Sequence, residues 1–283
     1  MQSTFSHSSL GSYENCPRKY AFRYVEKIRV DSEGIEAFVG KRVHEILERL
    51  YRFVTRGQLP SLDRVIDRYQ RTWDEHYDAE RIRIVRQGTE PGFYRSNGVR
   101  CLTNYYRRHY PFDADETLGL EKPIQFALDP EGHYAVRGII DRLVRAADGV
   151  LEIHDFKTGR RVPSQQNLDR DRQLALYEIG VRAERPEDRD FRLVWHFVQS
   201  NQLRTSTRTP EQLDSLRRET TELIDRIRAE SEWAPRTGPL CDWCEYREMC
   251  PAFANERTGQ ATQRTDPDEA TSDVTRENQL RLF

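Results

Sequence analysis

The sequence predicts an α/β protein in which a mixed central sheet is flanked by helices and carries an N-terminal helical insertion. Three observations lead to this prediction. Apolar residues recur at helical spacing early in the chain, short Val- and Ile-rich segments separated by turns follow, and helices then alternate with strands. At 283 residues the chain can bury a substantial core, as one large domain or two small ones.

Helices dominate the first part of the chain. A short capped helix runs up to Cys16, and a second helix begins at Pro17, because proline is tolerated at the first helical position. A third helix is predicted from about Glu36 to Thr55, where apolar side chains recur every three or four residues. Two more helices are expected at about 61–80 and 91–109. The helical insertion is therefore assigned to about residues 36–112.

Three strands are predicted next, in the segments PIQFALD, HYAVRGIIDRLVRA and VLEIHDFKT. The turns DPEG and AADG separate them, so we expect neighbouring strands to pair in antiparallel fashion. The remaining predicted elements are a helix from about Leu168 to Ala183, strands in FRLVWHFVQ and LRTSTRT, and a long helix from Pro210 to about Trp233.

The composition is that of a highly charged chain. Charged residues make up 33% and hydrophobic residues 36%, the formal net charge is -2 and the mean hydropathy is -0.86. The sequence contains no secretion signal and no apolar stretch of about 18 residues, so we expect a cytoplasmic protein without membrane contact. The charge balance argues against a uniformly basic nucleic-acid coat protein but leaves a local basic groove open.

Four of the five cysteines are divided between the two ends of the chain. Cys16 lies near the start, and Cys241, Cys244 and Cys250 form a C-x2-C-x5-C run near the end. In a reducing compartment this pattern indicates metal ligation, and its spacing suits either tetrahedral zinc or a [4Fe-4S] cluster. The one-plus-three division argues against an ordinary zinc finger. The fifth, Cys101, is predicted to be a buried thiol in an apolar helix.

Two acidic residues and a lysine lie on adjacent predicted strands. Asp141 ends the run RGIID, and Asp155 and Lys157 belong to HDFKTG. Residues two apart on a strand face the same side, so Asp155 and Lys157 should lie together. The two carboxylates could hold Mg²⁺ with a further oxygen from the Phe156 carbonyl, and Lys157 could assist an attacking water. Taken alone, a D-x-K strand is more often a solvated face.

Four other residues, when each is considered on its own, are expected to have structural roles. His44, alone in an apolar helix, is expected to be a core histidine. Glu121, where the first strand begins, is expected to be an exposed strand-edge residue, and the alternative is that it contributes a further acidic group to the site. Gln173 and Tyr177, four apart on one helix face, are expected to be packing or surface residues. The order of the motifs along the chain changes the expectation for His44, Gln173 and Tyr177.

In that order the motifs G-x3-H, G-x2-D-R, D-F-K-T-G and Q-x3-Y, bracketed by one early and three late cysteines, resemble the RecB-type branch of the PD-(D/E)XK nucleases. The resemblance covers Ser6 to about Phe253. It points to the subset with an iron-sulfur cluster, which includes the AddB nuclease domain and the CRISPR-adaptation nuclease. It implies a restriction-endonuclease-like fold with a C-terminal iron-sulfur segment, and a [4Fe-4S] cluster held by Cys16, Cys241, Cys244 and Cys250.

The resemblance also implies the roles of individual residues. His44, Asp141 and Asp155 become ligands of Mg²⁺ or Mn²⁺, and Lys157 becomes the catalytic lysine. A fourth motif close to the DNA and the active centre is matched by Gln173 and Tyr177. One departure is that the carboxylate before the lysine is Asp155, where many relatives have Glu, and both types ligate Mg²⁺.

Basic residues and the end of the chain suggest binding surfaces. Arg160 and Arg161 directly follow the predicted catalytic strand and are suited to phosphate contacts. Residues 256–283 are predicted to be a disordered tail because they contain few apolar side chains, which leaves 1–255 as the nuclease domain. The tail ends in a sequence that resembles the motif of bacterial sliding-clamp partners, with Gln279, Leu280, Leu282 and Phe283 as clamp contacts.

These expectations combine into a divalent-metal-dependent deoxyribonuclease, an exonuclease or flap-processing enzyme that acts on single-stranded ends in DNA repair or replication. A sliding clamp and a helicase are the candidate partners. The alternative is a noncatalytic DNA-binding or adaptor module recruited through the tail, and a third option is a zinc-stabilised scaffold. The intact set of Asp141, Asp155 and Lys157 argues against both.

Overall fold

The computed structural model describes residues 4–254. The N-terminal region consists of strand β1 (Thr4–Phe5), helices α1 (His7–Asn15) and α2 (Pro17–Tyr20), and a π-helical turn (Ala21–Val25). Helix α1 begins where predicted because Ser6 and Ser9 form a capping box, each side chain accepting a hydrogen bond from the backbone N–H of the other residue. Cys16 ends α1 and precedes Pro17, as the sequence predicted.

The predicted helical insertion is present. Its elements are β2 (Glu33–Gly34), α3 (Ile35–Val54), α4 (Leu62–His76), β3 (Ile82–Arg83) and α5 (Pro91–His109). Strands β2 and β3 form a small parallel pair, and the three helices pack against one another. Their shared apolar core includes Cys101, which is buried as predicted, and burial raises the pKa of its thiol to about 12.

Within residues 4–254 the central sheet has six strands. Besides β1 they are β4 (Asp115–Ala127), β5 (Ala135–Ala146), β6 (Leu151–Lys157), β7 (Phe191–Phe197) and β8 (Gln202–Ser206). Strands β4, β5 and β6 are antiparallel neighbours, β7 runs parallel to β6, and β8 is antiparallel to β7. Val136 of β5 pairs with Phe126 of β4 on one edge and with Phe5 of β1 on the other, so β1 and β6 share the second edge of β5.

Both faces of the sheet are covered, which confirms the predicted α/β class. Helices α7 (Arg172–Glu184) and α8 (Pro210–Ala229) pack on one face against Ile153, Leu193 and Trp195. Helices α3 and α5 cover the other face, where Phe156 and Val198 join their core. No helix within residues 4–254 is long and apolar enough to span a bilayer.

Two of the differences from the predicted element boundaries have a clear local cause. Strand β4 begins at Asp115 rather than at Pro123, so Pro123 lies inside the strand. Proline lacks a backbone N–H and is tolerated there because β4 lies at the edge of the sheet. The helix predicted from Leu168 is divided into a short helix α6 (Gln165–Leu168) and α7. Helix α7 begins at Arg172 because the Asp171 side chain accepts a hydrogen bond from Leu174 N.

The C-terminal segment consists of three short 3₁₀ turns, Pro239–Trp243, Arg247–Met249 and Pro251–Phe253. It is held against the N-terminal region. Lys19 Nζ lies 2.8 Å from Glu245, and the Tyr246 hydroxyl donates to the Ile28 carbonyl at 3.1 Å. Arg83 donates to the Trp243 and Cys244 carbonyls at 2.9 and 3.1 Å.

Candidate active site

The site lies where strands β5 and β6 separate. Their ladder ends at the pair Arg142–His154, so Asp141 and Asp155 are the first residues beyond it on the two strands. Beyond this point β5 pairs with β1 instead, at Ala135 and Val136. This separation of the two strands, called the fork below, leaves space between the carboxylates of Asp141 and Asp155, which the sheet holds side by side.

Asp141 is fixed by contacts from two elements. Its Oδ2 accepts a hydrogen bond from Phe156 N at 2.7 Å and lies 3.5 Å from His44 Nδ1 on helix α3. His44 Nε2 donates to the Phe156 carbonyl at 2.7 Å. Burial lowers the pKa of His44, but Asp141, Asp155 and the Phe156 carbonyl together raise it to about 9. His44 thus contacts Asp141 and the Phe156 carbonyl and is not an isolated core histidine.

Asp155 and Lys157 face the same side of β6, which confirms the expectation from strand alternation. Lys157 Nζ donates to Asp155 Oδ1 at 3.0 Å and to Gln173 Oε1 at 2.8 Å, and Gln173 Nε2 donates to the same Asp155 oxygen at 3.0 Å. Burial and the charge of Asp141 raise the pKa of Asp155, against the opposing effect of Lys157. A buried carboxylate that resists ionisation beside a second carboxylate is a setting in which a bound cation is favourable.

Two glycines of the sequence motifs permit close approaches around the site. A Cβ on Gly138 would lie 2.2 Å from Tyr177 Cε1, so the ring of Tyr177 packs directly on the backbone of β5. A Cβ on Gly40 would lie 3.2 Å from Thr158 Oγ1, which brings helix α3 close to the end of β6. Tyr177 is buried and Gln173 bonds to Lys157, so the Q-x3-Y motif lies beside the acidic residues.

The expectation that Glu121 is an exposed edge residue is wrong. Glu121 is half-buried, and a donor atom of its carboxylate lies within 4.8 Å of donor atoms of His44 and Asp141. Among the residues the structure describes, this is the one group of three or more His, Cys, Asp or Glu side chains with that spacing. Burial and the charge of Asp141 raise the pKa of Glu121. The feature of the sequence that could have indicated this position is an acidic residue in the strand that pairs with the strand of Asp141.

The structure brings the four predicted cysteines to one cavity of about 710 Å³, which is lined by Cys16, Cys241, Cys244 and Cys250. All four thiols are free and partly exposed. The Sγ atoms of Cys16 and Cys241 accept backbone N–H groups from Arg236 and Gly238, each at 3.4 Å. Backbone amides that donate to sulfur stabilise metal-bound thiolates.

The same cavity reaches the acidic site, because Lys157 and Gln173 also line it. Its basic lining residues come from three parts of the chain: Arg18, Lys19, Arg23, Lys157, Arg236 and Arg247. Within the described part of the chain no Asp or Glu belongs to this lining. Several of these basic groups are paired with carboxylates behind the lining, as Lys19 is with Glu245 and Lys157 with Asp155, so the cations form the surface that a ligand would meet.

Other predicted residues lie outside this site or outside the described range. Arg160 and Arg161 are exposed in the loop after β6. The clamp contacts predicted at Gln279, Leu280, Leu282 and Phe283 lie outside residues 4–254. Tyr94, Tyr105 and Tyr106 are buried in the core of the insertion and are not available for base stacking.

Comparisons with known proteins agree with this geometry. A family model described as the PD-(D/E)XK nuclease superfamily matches residues 4–251. One subunit of the ATP-dependent helicase/deoxyribonuclease from Streptococcus equi subsp. zooepidemicus, in strains MGCS10565 and H70, is in each case 26% identical over 167 residues. That match covers 56% of this chain, but this chain spans only 14% of those relatives.

A solved structure is similar over almost the whole chain. It is that of a "putative exonuclease" from Eubacterium rectale, with a TM-score of 0.50 and 12% sequence identity. The alignment covers 95% of this chain and 91% of that chain. At this identity the similarity is one of fold.

Proposed function

This chain belongs to the PD-(D/E)XK nuclease superfamily, and from that membership we propose that it is a divalent-metal-dependent deoxyribonuclease. We assign it to the exonucleases or flap-processing enzymes that act on single-stranded ends in DNA repair or replication. The observation that carries the proposal is the convergence of Asp141, Asp155, Lys157 and His44 at the fork between β5 and β6. Membership by itself implies a metal-dependent nuclease.

The donor set fits a hard divalent cation. Asp141 and Asp155 offer carboxylate oxygens, Phe156 offers a backbone carbonyl, and His44 contributes a nitrogen, which suits Mg²⁺ or Mn²⁺. When bound, such an ion would act as a Lewis acid on the scissile phosphate. His44 donates to the Phe156 carbonyl at 2.7 Å through Nε2, which leaves Nδ1, 3.5 Å from Asp141, as the nitrogen that could ligate the ion once it is unprotonated.

The protein groups around Asp155 have distinct tasks in this mechanism. Lys157 places its ammonium beside the reacting phosphate, where it offsets negative charge and orients the attacking water. Gln173 accepts a hydrogen bond from Lys157 and donates one to Asp155, and these two bonds fix the positions of both side chains. Tyr177 packs on Gly138 and supports the helix that carries Gln173. These roles extend the motif-based expectations to the observed contacts.

A single nucleic-acid strand is supported as substrate by the cationic cavity. The cavity has a volume of about 710 Å³, is lined by six basic side chains and ends at Lys157. It therefore provides a path along which a phosphate backbone can reach the site. Trp243, which is 47% exposed, adds aromatic surface on which a base can stack. Arg160 and Arg161, exposed after β6, are proposed to contact phosphates at the same end.

We assign a [4Fe-4S] cluster to the four cysteines. Four thiolates suit either zinc or a four-iron cluster, but the division of the ligands between Cys16 and the C-terminal run argues against an ordinary zinc finger. The backbone N–H groups directed at the Cys16 and Cys241 sulfurs are consistent with this assignment.

Two partners are proposed besides DNA. The curated relatives are named as helicase/deoxyribonuclease subunits, which supports a helicase partner for this chain. The sequence QLRLF at residues 279–283 supports recruitment to a sliding clamp through a tail at 256–283, with 1–255 as the nuclease domain. A pull-down with the clamp should recover the full chain and lose the chain without its last five residues. Equal recovery would refute the clamp assignment.

The central test is cleavage of end-labelled single-stranded, duplex and flap DNA with Mg²⁺ or Mn²⁺. We expect metal-dependent cleavage of the single-stranded ends, slowed by about 100-fold or more in Lys157→Ala because charge stabilisation at the phosphate is lost. Arg81→Ala is the control, since Arg81 is a 70% exposed basic residue that does not line the cavity ending at Lys157. Equal cleavage by the wild type and Lys157→Ala would contradict the proposal. DNA binding without cleavage would favour the noncatalytic adaptor.

A further inference from the structure

Glu121 lies beside the two residues at the entrance of the fork that the motifs assigned to the metal. Given the proposed function, on which this inference rests, we propose that Glu121 is an additional ligand of the catalytic divalent cation. Its donor atom lies within 4.8 Å of those of His44 and Asp141. The site would then bind the ion with three carboxylates from three neighbouring strands and one imidazole from helix α3.

The position of Glu121 follows from the pairing of β4 with β5. The ladder joins Leu120 to Arg142 and Lys122 to Ile140, so Glu121 lies opposite Asp141. Its φ of 43° is in the left-handed region, which side-chain-bearing residues rarely adopt, and the ladder makes no pair at this position. The surrounding strands thus hold Glu121 in an unusual conformation next to Asp141.

The carboxylate of Glu121 has no direct hydrogen-bonding or ion-pair partner. Within residues 4–254 no hydrogen bond or salt bridge engages it, although it is half-buried, and a protonated His44 offsets only part of its charge. Glu48, which lines the same small cavity of about 420 Å³, instead accepts from Arg52 at 2.9 Å. Glu121 and Asp141 are therefore two neighbouring carboxylates within reach of one ion, an arrangement that a hard cation stabilises.

The three carboxylates differ in how their negative charge is balanced. Asp155 is paired with Lys157, so its charge is partly offset within the protein. Asp141 and Glu121 together supply the two negative charges that balance a divalent ion, while His44 adds a neutral ligand once it loses its proton. Without Glu121, the ion would depend on Asp141 and on a carboxylate already shared with Lys157.

The inference is tested by measuring Mn²⁺ binding, for which free Mn²⁺ is followed by electron paramagnetic resonance. We compare the wild type with Glu121→Gln, Glu121→Asp and Asp141→Asn. Glu116→Gln, an exposed glutamate on the same strand, is the matched control. We expect Glu121→Gln to weaken Mn²⁺ binding by at least about tenfold and Glu121→Asp to weaken it less, because a carboxylate is retained. Glu116→Gln should bind as the wild type does.

A second readout separates ligation from a structural role. Without metal, Glu121→Gln should melt at or above the wild-type temperature, because repulsion between Glu121 and Asp141 is relieved. With Mn²⁺, its stabilisation should be smaller than that of the wild type. Wild-type Mn²⁺ affinity in Glu121→Gln would overturn the inference while leaving the nuclease assignment intact. If the wild type neither binds Mn²⁺ nor cleaves DNA, both the inference and the proposed function fail.

Discussion

Gly138 and Arg142 show how one short stretch of β5 supports the site. Gly138 leaves room for the ring of Tyr177, and Asp141, three residues later, enters the fork. Arg142 is 1% exposed, forms an ion pair with Asp115, and stacks its guanidinium 3.7 Å from the centre of the Tyr51 ring. The G-x2-D-R motif therefore combines a close contact, a proposed metal ligand and a buried anchor at fixed spacing.

Gly138→Ala tests the close contact. A Cβ placed 2.2 Å from Tyr177 Cε1 must displace the ring, so we expect a loss of about 1–3 kcal/mol in the free energy of unfolding. The rate of DNA cleavage should fall by more than the loss of folded protein explains, because a displaced Tyr177 moves the helix that carries Gln173. Urea denaturation and the cleavage assay measure the two effects.

The control for this variant is Gly92→Ala, on helix α5, where a Cβ would meet nothing within 4 Å. Alanine favours a helix over glycine by up to about 1 kcal/mol, so Gly92→Ala should be neutral or slightly stabilising. If Gly138→Ala behaved in the same way, the contact with Tyr177 would not matter.

At the scale of residues, strand alternation was sufficient to predict that Asp155 and Lys157 lie together, and the order of motifs placed Asp141 and His44 beside them. Glu121 could not be predicted in the same way. Its approach to Asp141 depends on the register of β4 against β5 and on a φ of 43°. A sequence specifies neither quantity until both strands are paired.

At the scale of elements, the long helices were the most predictable because each has a wide apolar face and clear end signals. Helix α3 was placed within a residue or two at both ends, and helix α5 was placed at its observed bounds. The beginning of β4 was missed because Gly119 and Pro123 interrupt the strand pattern, and only an edge position tolerates them. The break between α6 and α7 depends on the Asp171 cap, which resembles an ordinary surface residue in sequence.

The C-terminal segment is the element whose stability depends most on the proposed cluster. We expect Cys16→Ala and Cys241→Ala, purified without oxygen, to lose the colour of the cluster and part of the folded yield. Their melting temperature should fall by about 5 °C or more, where 1 kcal/mol corresponds to about 2–4 °C for a domain of this size. Visible absorbance, iron and zinc analysis and a thermal melt measure these effects.

Cys101→Ala is the matched variant for the cysteine series, since Cys101 is buried in the insertion and does not line the cavity. It should keep the colour even if its core packing is weakened. An unaltered melting curve in Cys16→Ala or Cys241→Ala would rule out a structural cluster, and zinc in place of iron would favour the zinc-stabilised scaffold.

At the scale of the whole molecule, charge is strongly segregated. The chain has a formal net charge of -2, yet the cavity between Lys157 and the cysteines is lined by basic residues alone among charged groups in the described structure. These residues come from the N-terminal helices, β6 and the C-terminal segment. Composition could exclude a uniformly basic surface but could not reveal a groove assembled from distant parts of the chain.

Arg23→Gln tests whether this cavity binds a nucleic-acid strand. We expect weaker binding of single-stranded DNA and a salt dependence of log K that is less steep by about 0.7, the value for one phosphate contact to a single strand. Binding is measured without Mg²⁺ or Mn²⁺ so that no cleavage occurs. Arg81→Gln, which alters an arginine that is 70% exposed and does not line the cavity, should leave the slope unchanged. Equal slopes for both variants would place the strand elsewhere.

The placement of β1 and Cys16 has a consequence for the order of folding. Thr4 and Phe5 pair with β5, and Cys16 shares its cavity with residues more than two hundred positions away, so these contacts close very long loops. Long-range pairing of this kind forms slowly and late. We therefore expect the helices of the insertion, whose contacts are local, to gain protection from hydrogen exchange during refolding before β1 and the four-cysteine cavity do.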